Sequence, residues 1–401
     1  MRYLLGLLCL TALSLGPSSG CSDGGENGAG GSGGMAGSGG FAGTGGMAGS
    51  GGFAGTGGMA GSGGTGGTTG DVFPCSEQGI RDAIAQGGGP HTFDCVGPHT
   101  IVTQDQIIID NDVVLDGGNN LIVDGNQHHR VFWITDGVTA ELRRLAITRG
   151  SAPSGGGIFN QGGTLKVDHA ILVGNLVDVS GAGAGIHNAG GTVTLTNTTI
   201  RSNLGAAESA GGGIYNSGTL TMLGCTVSGN TARHGGGITN SGVLTITNST
   251  LSENVADGGT GSALASSGTA TLISITVSGN QPPTASSITG SATMASSLID
   301  GDCAGSMTSN GYNVESPGNT CDLNAGTDSV SVSSGELALG PLQDNGGPTE
   351  THAVLAGSVA IDRIPEADCL DSVGQPLTTD QRGAMRPAGA GCEIGSFEIQ
   401  P

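Results

Sequence analysis

The densest group of residues that could do chemistry lies between positions 105 and 144, where aspartates, histidines and arginines occur close together. A polysaccharide lyase needs carboxylates to hold Ca²⁺ on an acidic sugar and a cationic residue as the base. A glycoside hydrolase needs two carboxylates near each other. The residues considered for these roles are Asp105, Asp110, Asp112, Asp116, Asp124, His128, His129, Arg130, Arg143 and Arg144.

Turns and strand geometry offer a simpler explanation for much of this group. Asp116-Gly117 and Asp124-Gly125 are typical of tight turns between short strands. His128-His129-Arg130 could bind a ligand or supply a base, although neighbouring residues of a strand face opposite ways. Asp110-Asn111-Asp112 could contribute to a Ca²⁺ site, but the rest of a calcium-binding loop is missing. We therefore expect no cofactor, with Ca²⁺ left open.

Charged residues are sparse between positions 151 and 300, and they do not recur together on one face of the repeat described below. No Cys-x-x-Cys or Cys/His grouping predicts a zinc site either. The sequence therefore predicts that the repeat walls carry no catalytic site. The acids are Asp168, Asp178, Glu208, Glu253, Asp257 and Asp300, and the bases are Lys166, Arg201 and Arg233.

The composition excludes several classes of protein. Of 401 residues, 81 are glycine, which is incompatible with a fold built from long helices. Lys and Arg number 12 against 33 Asp and Glu, for a net charge of −21. A nucleic-acid or anionic-membrane partner held by basic side chains is therefore not expected.

The first 70 residues predict export and a tether. Residues 1–20 have the pattern of a signal peptide, with a basic residue followed by a short apolar run. Cys21 comes next and resembles the lipidated cysteine of bacterial lipoproteins; ordinary cleavage nearby is the alternative. The rest of 21–70 is almost wholly Gly, Ser, Ala and Thr, which predicts a flexible spacer. The membrane partner would then be reached through the lipid on Cys21.

The elements that must position any site come from an internal repeat. Gly-Gly-Gly-Ile-x-Asn occurs at 155–160, 211–216 and 235–240, with a variant at 185–188. The Ile positions are 28, 28 and 24 residues apart. Periods of this size indicate a solenoid, in which each repeat buries its apolar face against its neighbours. Within a repeat the apolar residues alternate, which predicts short strands.

Aligned copies of the repeat also place polar residues in columns. Two columns of asparagine should form corner ladders, because Asn tolerates turn conformations and can bond the same amide one coil along. The first ladder is Asn160, Asn188, Asn216 and Asn240, and the second is Asn175, Asn203, Asn230, Asn254 and Asn280. Two outward columns of threonine should expose hydroxyls. The first, a possible ligand surface, is Thr194, Thr221, Thr245, Thr271 and Thr293; the second is Thr199, Thr226, Thr250 and Thr276.

These columns resemble the right-handed parallel β-helix of the pectin-lyase-like class. The run 75–84 resembles the short capping helix that precedes such repeats in bacterial surface proteins. The segments 341–349, 360–362, 379–387 and 392–398 resemble the choice-of-anchor Q domain. That resemblance implies display on a cell surface, with Cys21 as the anchor, and it implies no reaction. Within it, Asp362, Asp380, Arg382 and Arg386 are expected to form a salt-bridged structural cap.

Cysteine spacing suggests disulfides in the segments outside the repeat. The expected pairs are Cys75 with Cys95, Cys303 with Cys321, and Cys369 with Cys392. Such bonds would pin the ends of the solenoid. Cys225 falls in a column of small inward residues and is expected to be a buried, inert thiol.

The sequence as a whole predicts an all-β protein, a single-stranded right-handed parallel β-helix with a disulfide-stapled C-terminal cap. We expect a monomeric, non-catalytic surface protein that is adhesive, glycan-binding or structural, with polysaccharide or another cell-surface component as partner. A polysaccharide lyase or hydrolase is the alternative. Ice binding by the threonine columns is a third interpretation, and the irregular row 196, 223, 247, 273 and 295 argues against it. The expected regions are 1–20 (signal), 21–70 (spacer), 71–100 (N-terminal cap), 101–300 (β-helix) and 301–401 (C-terminal coils and cap).

Overall fold

The computed structural model describes residues 71–401, which form a parallel β-helix preceded by a short helix. Each strand of the helix pairs in parallel with the strand one coil along the chain. The predicted all-β fold, with an N-terminal capping helix and a disulfide-stapled C-terminal cap, is confirmed. The predictions for residues 1–70, including the signal peptide and Cys21, lie outside the described residues.

The capping helix spans Glu77–Gln86 and closes the first coil. It begins where the side chain of Ser76 accepts a hydrogen bond from the backbone N–H of Gly79 at 3.1 Å. Its inner face buries Ile80 and Ile84 against the open end of the core. The helix therefore covers the apolar interior that a solenoid end would otherwise expose to water.

Four faces run along the axis of the β-helix, and we name each by what it carries. The threonine face consists of Thr164–Asp168, Thr192–Thr196, Thr219–Leu223, Val243–Thr247 and Thr269–Ile273, then the far parts of Ile288–Ala295 and Cys303–Ser309. The covered face consists of Ile171–Val173, Thr199–Arg201, Thr226–Ser228, Thr250–Ser252, Thr276–Ser278, Leu298–Asp300 and Val314–Ser316. The short face consists of Ser151–Ser154, Leu176–Ala182, Leu204–Gly205, Thr231–Ala232 and Val255–Ala256. The aromatic face consists of Ile107–Ile109, Phe132–Ile134, Ile158–Gln161, Ile186–Ala189, Ile214–Asn216, Ile238–Asn240 and Leu264–Ser266, then the near part of Ile288–Ala295.

The first coils are built from longer strands. Val113–Asp124 and Thr139–Thr148 each run through both the threonine face and the covered face. Val113–Asp124 pairs with Gly88–Phe93 and His99–Val102 on one side and with Thr139–Thr148 on the other. The first strand, Val72–Phe73, pairs with Gly88–Phe93.

The repeat motif requires glycine for two reasons, a positive φ at one position and a close backbone approach at another. Gly211 has a φ of +67°, a conformation that side chains with a Cβ rarely adopt. A Cβ at Gly213 would lie 2.6 Å from the carbonyl oxygen of Gly237 in the next coil, so no side chain fits there. The motif thus sets the sharp corner and the close stacking that precede the aromatic-face strands in which it occurs.

Both asparagine columns form buried ladders of side-chain amides. In the first, Asn160, Asn188 and Asn216 each donate to the amide oxygen one coil along, at 2.8 to 2.9 Å. In the second, the corresponding distances are 2.9 to 3.1 Å. The members of the second ladder are Asn175, Asn203, Asn230, Asn254 and Asn280. Successive amides satisfy one another, so the corners remain polar inside the core at little cost. The exception is the Oδ1 atom of Asn160 at the start of the first ladder, which has no hydrogen-bond partner among the described residues.

The chain ends in an irregular C-terminal segment that folds back onto the β-helix. It contains a short helix, Ser334–Leu337, the antiparallel strands Leu339–Gln343 and Thr351–Val354, and a 3₁₀ turn, Glu366–Asp368. Its apolar residues pack with Leu298 and Val314 of the covered face in a small core of their own, apart from the main core of the coils. No helix within residues 71–401 combines the length and hydrophobicity of a membrane span.

The three expected disulfides are present in the structure. They join Cys75 to Cys95, Cys303 to Cys321, and Cys369 to Cys392. Cys225 is a free thiol with no exposed surface, and burial raises its pKa to about 12. That thiol therefore stays protonated at physiological pH.

Candidate ligand-binding faces

Four aromatic side chains form a continuous row on the outside of the aromatic face, which we call the aromatic row. Trp133, Phe159, His187 and Tyr215 occupy the same register position in successive coils. Neighbouring rings meet edge to face, with centroids 6.2, 5.1 and 4.9 Å apart along the row. All four side chains are half-buried, so each keeps part of its ring surface open to solvent.

The repeat motif explains why these rings stand alone on their strands. In Gly-Gly-Gly-Ile-x-Asn the Ile and the Asn point into the core, which leaves only the x position outside. Phe159, His187 and Tyr215 are the x residues of three copies, and the register of the coils stacks them. The buried Asn188 and Asn216 fix the corner immediately beside the row.

Arg130 supports the first two rings of the row. Its guanidinium carbon lies 5.7 Å from the centroid of Trp133 and 4.8 Å from that of Phe159. The guanidinium donates hydrogen bonds to the carbonyl oxygens of Ser154 and Gly155 and to the side chain of Gln106. Burial lowers the pKa of Arg130. These hydrogen bonds hold the guanidinium against the rings.

The polar atoms of the row are arranged to keep it neutral. Burial, together with the nearby charge of Arg130, lowers the pKa of His187 to about 4. Its Nδ1 atom is buried and has no hydrogen-bond partner among the described residues. The indole N–H of Trp133 donates to the side-chain oxygen of Gln161 at 3.1 Å. The row therefore presents uncharged rings at neutral pH.

The row leads into a shallow groove on the same face. The next three positions in register after Tyr215 are Thr239, Ala265 and Thr289. They line a cavity of about 250 Å³ together with His234 and residues of the adjoining turns. The remaining lining residues are Thr260, Ser266, Ser267 and Gly290.

The threonine face carries two parallel rows of hydroxyl groups. The predicted column is in register, flanked by Lys166 at one end and Thr308 at the other, with Thr221 exposed and the other members half-buried. The predicted column is Thr194, Thr221, Thr245, Thr271 and Thr293. A second row lies two residues away and is interrupted at Val243. It consists of Thr192, Thr219, Val243 and Thr269 in paired register, followed by Ser291 and Ser306, which pair with each other.

The prediction that the second threonine column is an exposed wall is wrong. Thr226, Thr250 and Thr276 are buried, and only Thr199 keeps some exposure. The cause is the C-terminal segment, which lies across the covered face and takes these hydroxyls as hydrogen-bond partners. The column therefore serves as a docking strip within the chain.

The docked segment is held by polar contacts and buried charge. Ser396 bonds the hydroxyls of Thr250 and Thr276 at 3.1 and 3.0 Å. Arg386, whose side chain is wholly buried, pairs with Glu398 at 2.8 Å. The predicted cap residues Asp380 and Arg382 form a second pair at 2.7 Å. Asp362 accepts a hydrogen bond from the backbone N–H of Gly391.

The acidic and basic residues between positions 105 and 144 form turns and ion pairs. Asp116 and Asp124 each accept a bond from a backbone N–H two residues on, as in a turn, and pair with Arg144 and Arg149. Burial opposes ionisation of Asp116, but the hydrogen bonds and charge of Arg144 outweigh it and lower its pKa. Asp112 accepts a bond from a backbone N–H, and Arg143 pairs with Glu141.

His128 and His129 also bond to backbone atoms, at Asn126, Thr103 and Arg130. Asp105 accepts from the backbone N–H that follows it, and Asp110 is exposed. Within residues 71–401, no three His, Cys, Asp or Glu side chains converge as metal ligands.

Comparison with known proteins identifies no family for this chain. No family model matches the chain, and no curated protein matches it. Among solved structures, the chain is similar to one titled "Crystal structure of pectate lyase Pel9A". The two share 12% identity with a TM-score of 0.45, over 83% of this chain and 97% of that chain. A similarity at this level identifies neither a family nor an activity.

The aromatic row is the feature that sequence reasoning missed. Its signal is present in the aligned repeat, where the x position of the motif reads Phe159, His187 and Tyr215 in three consecutive copies. Only 3% of the residues are Phe, Trp or Tyr, so a column that places two of them on either side of a histidine is a concentrated signal. Trp133 precedes the first copy of the motif, and only the register of the coils adds it to the row.

Proposed function

We propose that this protein is exported and non-catalytic, and that it binds polysaccharide along the aromatic row. The observation that carries the proposal is the stacking of Trp133, Phe159, His187 and Tyr215 on one face. Aromatic rings offer a negative face on which the C–H groups of a sugar ring can pack. A rigid row repeats that contact at each coil, so weak contacts add up along a chain.

Location and anchoring extend the proposal. Three disulfides support an oxidising, extracytoplasmic environment. A lipid on Cys21 would tether the β-helix to a bacterial outer membrane or cell surface, with residues 21–70 as the spacer. The docked C-terminal segment would then be a cap of the choice-of-anchor Q type. Cys21→Ala should release the protein from the membrane fraction, and continued membrane association would contradict the anchor.

The binding experiment uses the full chain and a panel of neutral and acidic polysaccharides, read for both retention and polymer length. We expect retention without shortening. The double variant Trp133→Ala/Phe159→Ala should weaken retention at least about tenfold, because it removes two adjacent stacking surfaces. The matched control is Thr221→Ala/Thr245→Ala on the threonine face, which should retain polymer normally with the same melting temperature.

The threonine face is a second candidate surface, and the regular pair of hydroxyl rows favours it. If the threonine variant loses retention and the aromatic variant does not, this face binds the ligand. If polymer chains become shorter, the protein is a polysaccharide lyase or hydrolase, which was the alternative from the sequence, and the non-catalytic proposal fails.

A further inference from the structure

We infer that the ligand is an uncharged polysaccharide chain that lies parallel to the β-helix axis and spans both the aromatic row and the groove beyond it. This inference rests on the proposed function and names its ligand class and orientation.

The row and the groove form one straight track. Seven consecutive coils contribute one outward residue each, and the backbone register pairs every residue with the next. Adjacent strands in a sheet are about 4.8 Å apart, so six intervals give a track of about 29 Å. Its members in order are Trp133, Phe159, His187, Tyr215, Thr239, Ala265 and Thr289. A ligand crossing the axis would meet only one or two of these residues, whereas a chain along the axis meets all seven.

The two halves of the track offer different contacts, and a single sugar chain can make both. The half occupied by Trp133, Phe159, His187 and Tyr215 offers ring surface for packing. The groove half offers the hydroxyls of Thr260 and Thr289 beside small side chains, which leaves room for a sugar to sit lower and form hydrogen bonds. Packing at one end and hydrogen bonding at the other are the two contacts that an amphipathic polymer of sugars can make at once.

Charge argues against an acidic polymer. None of the seven track residues is Asp, Glu, Lys or Arg, and the histidine among them is neutral at pH 7. Arg130, the cation beside the row, already donates from its Nε, Nη1 and Nη2 atoms to Ser154, Gly155 and Gln106, which leaves fewer N–H groups for an incoming carboxylate. The whole chain carries a net charge of −21, which repels polyanions at low salt. An uncharged chain meets none of these penalties.

The test first identifies which polysaccharide of the panel is retained. It then measures the affinity of the protein for oligomers of that polysaccharide. Candidates for the neutral probe are cello-, manno-, malto- and chito-oligosaccharides, and oligogalacturonides are the acidic probe. Affinity for the neutral series should rise with chain length beyond the length that covers the four rings. Retention of polygalacturonate alone would overturn the inference and leave the proposed function standing. Retention of no polymer at all would remove the proposed function itself.

A charge placed in the groove separates the two halves of the track. Ala265→Glu puts a bulky carboxylate at the sixth position, outside the aromatic row. We expect unchanged affinity for short oligomers and about a tenfold loss for the longest ones. Ala367→Glu makes the same substitution at an exposed position of the 3₁₀ turn Glu366–Asp368, outside both candidate faces; it is the matched control and should leave both affinities unchanged. Equal affinity of Ala265→Glu and the parent chain for the longest oligomers would overturn the extended track.

Discussion

The side-chain amide of Gln381 donates a hydrogen bond to the hydroxyl of Thr226 at 2.9 Å, although the two residues are 155 positions apart. The same amide group accepts from Thr250 at 2.7 Å and donates to Thr349 at 2.9 Å. Gln381 thus joins two coils of the covered face to two parts of the C-terminal segment. Its side chain is buried, so water cannot replace these bonds.

Replacing Gln381 with alanine should loosen the C-terminal segment. Truncation leaves buried hydroxyl and carbonyl groups without partners, at roughly 1–3 kcal/mol for an unpaired buried group. We expect a loss of about 2–3 kcal/mol in the free energy of unfolding, measured by chemical denaturation. Gln343→Ala, an exposed position in the same segment, should change stability by less than about 0.5 kcal/mol. Equal stability of the two variants would mean that the contacts of Gln381 do not hold the segment.

Sequence reasoning succeeded where contacts are made between equivalent positions of the repeat. The asparagine ladders could be predicted because Asn203 must lie against Asn230 in any regular stacking of coils. It failed at Thr226, which has the same outward register as an exposed threonine. What covers Thr226 is Glu350 and its neighbours, more than 120 positions away, and no periodicity in the sequence encodes that contact.

The aromatic row shows a different limit. Its residues differ in type, so the search for identical residues in a column passed over Phe159, His187 and Tyr215. The support from Arg130 depends on the carbonyl oxygens of Ser154, the last residue of a short-face strand, and of Gly155, which follows it. Side-chain chemistry shared by different residue types is visible only once the coils are placed in register.

Removing one rung of an asparagine ladder should destabilise the whole β-helix. The side-chain oxygen of Asn203 accepts from both the backbone and the amide of Asn175, and its own amide donates to Asn230. Asn203→Ala leaves these buried groups unpaired, and we expect a loss of roughly 2–4 kcal/mol. Thermal unfolding followed by circular dichroism would measure it. Asn310→Ala, at an exposed site, is the control, and a shift no larger than that of the control would count against the ladder as a source of stability.

A buried carboxyl in the C-terminal segment should make stability depend on pH. Burial and the adjacent Glu398 raise the pKa of Glu393 from its ordinary 4.5 to about 8. Below pH 4.5 the group is protonated whether the chain is folded or unfolded. Between pH 4.5 and 8 only the unfolded chain releases the proton, so this contribution to stability is lost as the pH rises through that interval.

Glu393→Gln removes the titration and keeps the shape of the side chain. The free energy of unfolding of the parent chain should therefore fall relative to that of the variant as the pH rises from 5 to 8. Denaturation at a series of pH values would measure the difference, with Glu366→Gln, at an exposed site, as the control. A difference that stays constant over this interval would show that Glu393 ionises normally in the folded protein.

The low pKa of His187 predicts how ligand binding responds to acid. Because that pKa is lowered to about 4, the ring is uncharged in the folded protein from pH 5 upward. Polysaccharide retention should therefore be constant between pH 5.5 and pH 8 and should fall only as the pH approaches 4. Retention measured across this range tests it, with two variants as companions. His187→Phe preserves an uncharged ring and should bind like the parent chain between pH 5.5 and pH 8, but it should keep that binding at pH 4, where the parent chain loses it. His187→Ala interrupts the aromatic row and should bind weakly throughout. A transition in the parent chain near pH 6.5 would instead mean that His187 titrates as an exposed histidine, and the row would then carry charge under mildly acidic conditions.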